Sequence, residues 1–229
     1  MITSIYFNNF NSYKDLGLTI ADMSNIPIAN EEVEINNGYT IRMGKYPTLE
    51  LPITFRIKHL HGLHYRQDKI MSWLTDIKDN RLMFSFAPKK YYIVKNVIVD
   101  NLIRDIYAYN SISVTFILEP FKYEMYERVM TLTKSEKVQY KGTAPGEPNF
   151  KIYGNGNIQL TINSETVQIN NVNGYVELDS KYLLCLNEDK TSKSRDMIGG
   201  FPMLTKGIND ISWTGNVTKV ELQKRTAYL

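Results

Sequence analysis

From Asn149 to Leu229 every periodic apolar segment is short, with the spacing of strands. The runs are Phe150–Tyr153, Ile158–Ile162, Val167–Ile169, Tyr175–Leu178, Leu183–Leu186, Ile208–Trp213 and Val217–Leu222. Turn chemistry separates them at Gly154-Asn155-Gly156-Asn157, Asn163-Ser164-Glu165, Asn170-Asn171-Val172-Asn173-Gly174 and Thr214-Gly215-Asn216. A helix needs a longer rhythm, so this half predicts an antiparallel β-sandwich of seven short strands. Gly207 and Gly215 stand where positive φ is expected.

The first half follows the same rule with one exception. In Leu49–Ile57, residues Leu49, Leu51, Ile53, Phe55 and Ile57 share one face, and Pro52 on the other predicts an edge or a bulge. Ser111–Leu118 alternates as clearly, and Arg81–Phe86 with Tyr91–Val99 predicts a hairpin turning at Pro88-Lys89-Lys90. The exception is 63–78, where Leu63, Ile70, Trp73, Leu74 and Ile77 recur at helical spacing, with Met71 at the margin and Asp79-Asn80 as the stop. The fold class expected is therefore mainly β with one principal helix: an N-terminal α+β domain over 1–135 and a C-terminal sandwich over 149–229. Residues 136–148, ending in Lys141-Gly142-Thr143-Ala144-Pro145-Gly146-Glu147-Pro148, have the composition of a linker between them.

Charge and cysteine content exclude several functions. The net charge is +3 over 229 residues, with 17 basic and 15 acidic side chains in 1–140 and 10 and 9 in 141–229. No Lys/Arg block appears, so the footprint of a nucleic-acid binder is missing, although passage of nucleic acid through an assembly needs no affinity. The lone Cys185, inside Tyr182-Leu183-Leu184-Cys185-Leu186, leaves no intrachain disulfide and is expected as a buried small hydrophobe. The opening Met1-Ile2-Thr3-Ser4-Ile5-Tyr6 lacks the pattern of a secretory leader, and no segment has the apolar length of a membrane span, so synthesis in a cytoplasm and no membrane partner are expected.

Candidate chemistry is sparse. His59, His61 and His64 lie together, but without Cys or a supporting shell they predict junction polarity, not a metal site. Gly154-Asn155-Gly156-Asn157 precedes an alternating strand, whereas a phosphate loop must open a helix, so it predicts a hairpin turn. The acidic pairs Asp100 with Asp105 and Glu31 with Glu32 have no spacing that forces them into one cleft. No G-x-S-x-G elbow or local Cys-His signature is present, so no catalytic residue, cofactor or metal is expected. Trp213 and Tyr175 could form a sugar-stacking platform, but Trp213 shares a face with Ile211 and is expected inside the sandwich.

The most specific wording is Phe201-Pro202-Met203-Leu204-Thr205-Lys206-Gly207-Ile208-Asn209-Asp210-Ile211-Ser212-Trp213-Thr214-Gly215-Asn216-Val217. It resembles the C-terminal domain of the distal tail proteins of long-tailed bacteriophages. Pro148-Asn149-Phe150-Lys151-Ile152-Tyr153-Gly154-Asn155-Gly156, Val172-Asn173-Gly174-Tyr175-Val176-Glu177-Leu178-Asp179 and the tail Leu222–Leu229 are similar to further family segments. The motif positions are Gly154, Gly156, Gly174, Tyr175, Asp179, Phe201, Pro202, Leu204, Gly207, Asn209, Trp213 and Gly215. In the first half the likeness is looser, resting on Phe7-Asn8-Asn9-Phe10-Asn11-Ser12, the strand-helix-strand order and the Leu118-Glu119-Pro120-Phe121 exit. Arg42-Met43-Gly44-Lys45-Tyr46 stands where relatives carry a Gly-Arg-Asp-Gly step.

The resemblance implies a structural hub at the virion tail tip, not an enzyme. It implies a homo-hexameric ring built by an N-terminal domain related to tail-tube subunits (a split-barrel β-sandwich), with galectin-like C-terminal sandwiches projecting outward. The ring would join the tail tube protein to the tail-tip fibre or lysin protein, hold baseplate or receptor-binding proteins, and let DNA pass without specific binding. Two alternatives stay beside it: a carbohydrate-binding adhesion module of the tail, and a tail-tube protein.

Overall fold

The computed structural model describes residues 3–36, 39–42, 44–57, 63–99 and 110–229. The chain is mainly β with one principal helix and divides into two compact units, 1–125 with Leu229 and 126–228.

In the first unit β1 (Ile5–Phe7), β2 (Phe10–Asn11), β3 (Leu18–Met23), β4 (Val33–Asn36), β5 (Tyr39–Arg42) and β6 (Leu49–Ile57) precede α1 (Leu63–Thr75). β7 (Arg81–Phe84), β8 (Lys90–Val99) and β9 (Ser111–Glu124) follow it. The main sheet runs β2-β1-β7-β8-β9-β6-β3, and β4 with β5 forms a separate two-stranded ribbon. The alternation in β6 buries Leu49, Leu51, Ile53, Phe55 and Ile57 as expected. Pro52 lies just past the last β3–β6 pair, Met23 with Ile53, where one flank of the strand is open. β9 does not end at Leu118-Glu119-Pro120-Phe121. It continues to Glu124 because the β8–β9 register slips there: Leu118 faces Val94 and Lys122 faces Tyr92, so Pro120 sits in a bulge that asks no ladder bond of it.

The helix adds Ile70, Trp73 and Leu74 to this core. Trp73 meets Phe7 and Phe55 edge-on, each at 5.9 Å between centroids, and its indole N–H donates to the Phe7 carbonyl at 2.8 Å. A remote residue, not Asp79-Asn80, ends the helix. The Asn8 amide donates to the carbonyls of Trp73 (2.9 Å) and Asp76 (2.7 Å), and its oxygen accepts from the Lys78 amide at 2.8 Å. Asn8 thus satisfies carbonyls that any helix end leaves open, which explains one position of the Phe7–Ser12 segment.

The second unit holds β10 (Met130–Leu132), β11 (Glu136–Tyr140), β12 (Asn149–Ile162), β13 (Glu165–Val172), β14 (Tyr175–Asp179), β15 (Leu184–Asn187), β16 (Met197–Ile198) and β17 (Gly207–Gln223). Two expectations fail here. Gly154-Asn155-Gly156-Asn157 and Thr214-Gly215-Asn216 are not turns, because β12 and β17 each run unbroken through them as paired partners. Asn155 faces Asn216 and Gln159 faces Thr214, so the two segments form one joint bulge. Before it, Asn149–Tyr153 pair with β14; after it, Ile158–Ile162 pair with β13. Likewise β10 takes one end of β17 and β11 the other. Two long strands therefore bend and serve both half-sheets, which share one core containing Phe150, Ile152, Leu160, Val176, Ile211 and Val220.

Glycine makes the bend possible. A Cβ on Gly154 would lie 2.2 Å from the Asn216 carbonyl oxygen, and one on Gly215, at φ +99°, would lie 2.4 Å from that of Asn157. Backbone meets backbone at both points, with nothing flexible to yield.

The linker expected at 136–148 is also corrected, and the second unit starts at Tyr126 instead of after it. β11 is a full strand on β17, and the Gly146 and Leu204 amides each donate to the other's carbonyl, at 2.8 and 2.9 Å. The Gly-Pro composition wraps Tyr140, which is fully buried: its hydroxyl donates to the Ala144 carbonyl at 3.1 Å and accepts from the Ala227 amide at 2.9 Å. A Cβ on Gly142 or Gly146 would strike that ring at 2.4 or 2.7 Å.

Gly154→Ala is expected to destabilise the protein by at least ~2 kcal/mol, the scale of overpacking against a fixed backbone. Gly156→Asn is expected to change stability by less than ~0.5 kcal/mol, since at Gly156 (φ +82°) nothing lies within 4 Å of a Cβ and Asn tolerates that conformation. Urea unfolding of both variants checks the contrast; equal midpoints would contradict the bulge geometry.

Candidate functional site

Several of the twelve motif positions lie at three structural nodes of the second unit: the bend, the end of β14 and the turn before β17. At the bend, Gly154 donates its amide to the Gly174 carbonyl at 2.9 Å, while Gly174, at φ +81°, donates to the Asn155 side-chain oxygen at 3.1 Å. Asn157 likewise accepts from the Asn171 amide at 3.1 Å. The two asparagines of the Gly-Asn segment thus tie the β13–β14 connection to the bulge.

A second node is Asp179, at the end of β14. The Arg225 guanidinium grips it bidentately at 2.6 Å to each oxygen, and the amides of Lys181 and Tyr182 each donate to one oxygen at 3.1 Å. Burial alone would raise this carboxyl's pKa; the Arg225 and backbone hydrogen bonds outweigh that and hold it below its ordinary value. Next to it the Ser180 hydroxyl donates to the Pro202 carbonyl at 2.7 Å, and Leu204 beyond is fully buried while Phe201 packs on the core's edge. A third node is Asn209, also fully buried. Its oxygen accepts from the Thr205 amide at 2.9 Å and its amide donates to the Thr205 carbonyl at 2.8 Å, closing the turn that Gly207 enters at φ +106°.

Trp213 departs from expectation. It lies opposite Leu160 and packs against the core, but it is half-buried, because the residues just after it turn outward into the bulge. Tyr175 stands on the other side of its sheet, so the two aromatics do not make one platform. The partner of Tyr175 is Tyr153, with rings 5.3 Å apart. The Lys151 ammonium sits 3.9 Å from the Tyr175 centroid, and Lys219 sits 4.1 Å from that of Tyr153. Tyr153 also donates to Glu221 at 3.1 Å, and Lys190 pairs with Glu177. One face of each ring is taken by a cation of the same chain.

Burial pushes the Cys185 thiol up to about 11 and the Tyr92 and Tyr140 hydroxyls up to about 12, so none ionises near neutrality. Cys185 is buried as expected. His59, His61, Asp100 and Asp105 lie outside the described residues. Sequence reasoning missed Arg225, because nothing local marks it as the partner of a carboxylate 46 residues away, and it missed Asn8 as a helix cap for the same reason.

No protein-family model matches this sequence, and no curated protein matches it. Among solved structures, SPP1 Dit (gp 19.1), described as a paradigm of the hub adsorption apparatus in phages infecting Gram-positive bacteria, matches with a TM-score of 0.67. The match covers 100% of both chains at 12% sequence identity. At that identity the likeness establishes a shared fold, and it is the fold of the family that the C-terminal wording resembles.

Asp179→Asn is expected to destabilise the protein by about 3 kcal/mol at pH 7, because it leaves Arg225 without its counter-charge. Folding lowers the Asp179 pKa, so its contribution is complete above the ordinary 3.8 and is lost as pH falls through the lower folded value. The stability gap between wild type and Asp179→Asn should therefore narrow below pH 4 in denaturant titrations; a gap constant with pH would contradict the ion pair.

Proposed function

We propose that this chain is the distal hub of a long-tailed bacteriophage tail, a non-enzymatic structural protein that closes into a hexameric ring. The observation that carries the reading is the structural match to SPP1 Dit over the full length of both chains, covering both units and not one common sandwich. The first unit forms the ring, and the second, a galectin-like sandwich, offers outward surface for baseplate or receptor-binding proteins. The ring joins the tail tube protein on one side to the tip fibre or lysin protein on the other. The near-neutral charge suits DNA transit without affinity.

Two features of the first unit support self-assembly. The β4–β5 ribbon is a two-stranded sheet, marginal by itself in water, and it exposes Val33 and Ile35 on one face at 53% and 75%. β3 ends the main sheet, and such edges invite pairing unless covered. Cyclic closure uses one heterologous contact repeated, so each subunit needs two different faces; the exposed Val33 and Ile35 on the ribbon and the open edge of β3 offer two such faces. The carbohydrate reading has no comparable support, since Trp213 and Tyr175 face opposite sides and Lys151 occupies a ring face of Tyr175.

Native mass spectrometry of the full chain at tens of micromolar tests this. A six-copy species is expected, and Val33→Asp with Ile35→Asp should dissolve it without lowering the thermal midpoint. A wild-type monomer at that concentration, or long tubes in electron micrographs, would contradict a self-closing ring. Saturable binding of a host glycan at millimolar concentration would favour the adhesion module instead.

A further inference from the structure

We propose that Asn173 is the residue at which the folded chain deamidates, and that the change releases the bend of the second unit. The product is an aspartate or isoaspartate formed without an enzyme.

Three Asn-Gly pairs stand in the sequence: Asn37-Gly38, Asn155-Gly156 and Asn173-Gly174. In such a pair the backbone nitrogen of the glycine reaches the side-chain amide of the asparagine with no Cβ in the way, and asparagine is accordingly among the thermolabile residues. The Gly174 nitrogen would give up its proton and bond to Cγ of Asn173. The Cγ–Nδ2 bond breaks, and ammonia leaves with that proton. Water then opens the five-membered imide at either carbonyl. One opening gives aspartate; the other gives isoaspartate, with one more carbon in the main chain.

The structure separates the two described pairs. Asn155 lies within β12 opposite Asn216, and Gly156 is paired with Val172, so both residues are held in ladders. The Asn155 side chain is also committed elsewhere, since its oxygen accepts from the Gly174 amide at 3.1 Å. Reaction at Asn155 would have to break a paired strand and that bond together. Asn173 lies between β13 and β14, in neither strand, and both it and Gly174 are exposed. A single exposed hydrogen bond restrains its attacking nitrogen, the same bond to Asn155. That one contact therefore protects Asn155 and slows Asn173. Asn37-Gly38 lies outside the described residues.

The consequence follows from where Gly174 sits. Its amide reaches Asn155, and its carbonyl accepts from the Gly154 amide at 2.9 Å. Isoaspartate at 173 lengthens the main chain by one carbon, ~1.5 Å, immediately before Gly174. Hydrogen-bond distances vary by only a few tenths of an ångström, so the two ties cannot both survive. Gly154 is the residue whose backbone abuts Asn216 at the bend. Deamidation at Asn173 thus strikes the support of the closest backbone contact in this unit.

The test incubates the purified full chain for weeks at about pH 8 and 37 °C, with site-resolved mass spectrometry of both pairs. In the folded chain conversion at Asn173 should run roughly tenfold or more ahead of Asn155. In unfolding urea the two rates should come within about threefold of each other. Asn155→Ala removes the acceptor and should speed conversion at Asn173 roughly threefold to tenfold, the factor that one net hydrogen bond contributes. Asn155→Asp keeps an acceptor oxygen and should leave that rate near the wild-type value. The isoaspartate fraction should melt below unmodified chain, while Asn173→Gln protein incubated alongside keeps its midpoint. Earlier conversion at Asn155, equal rates at the two sites in the folded chain, or equal rates at Asn173 in the Ala and Asp variants would overturn the assignment. An isoaspartate fraction with an unchanged midpoint would overturn the effect on the bend.

Discussion

The second unit depends on a place where two backbones touch. At Gly154 and Gly215 the chain comes so close to the carbonyls of Asn216 and Asn157 that no side chain fits between. That contact lets β12 and β17 bend together and continue, so that one pair of strands supplies both half-sheets and both walls of one core. The other nodes follow from the bend. Asn155 and Asn157 reach from it to fix the β13–β14 connection, β14 then ends at Asp179, and Asp179 with Arg225 fixes the turn beyond.

Viewed this way, the motif residues serve shape. Gly154, Gly174, Gly207 and Gly215 permit backbone positions; Asp179 and Asn209 satisfy buried polar groups; Leu204 and Trp213 pack at the centre and margin of the core. Burial raises the Cys185, Tyr92 and Tyr140 pKa values, and the hydrogen bonds from Arg225 and the backbone lower that of Asp179. The molecule's exposed apolar side chains include Val33 and Ile35 on the ribbon of one unit and Tyr182, Leu183 and Leu184 in the other.

Much of this was legible in the sequence where the deciding physics is local. The alternation of Leu49–Ile57 states which side chains are buried, and the spacing of Ile70, Trp73 and Leu74 states the helix. What was not legible depends on distant contacts. A Gly-Asn pair at a hairpin turn and one in a bulge have the same composition, since both use positive φ; only the partner strand decides. Gly142 and Gly146 read as linker residues until the Tyr140 ring is seen to fill their missing Cβ positions. The Asp179–Arg225 pair has no local trace either. The family resemblance came from the wording of Phe201–Val217, which no periodicity or charge pattern would have produced, and the structural match to SPP1 Dit agrees with it while sharing 12% of residues.

If the chain is the distal hub, a cryo-electron-microscopy reconstruction of the tail that contains it, with both units fitted into the map, will show one ring of six copies at the junction of tube and tip, first units inward and second units outward. Density for the chain repeated along the tube, or confined to a receptor-binding fibre, would contradict it.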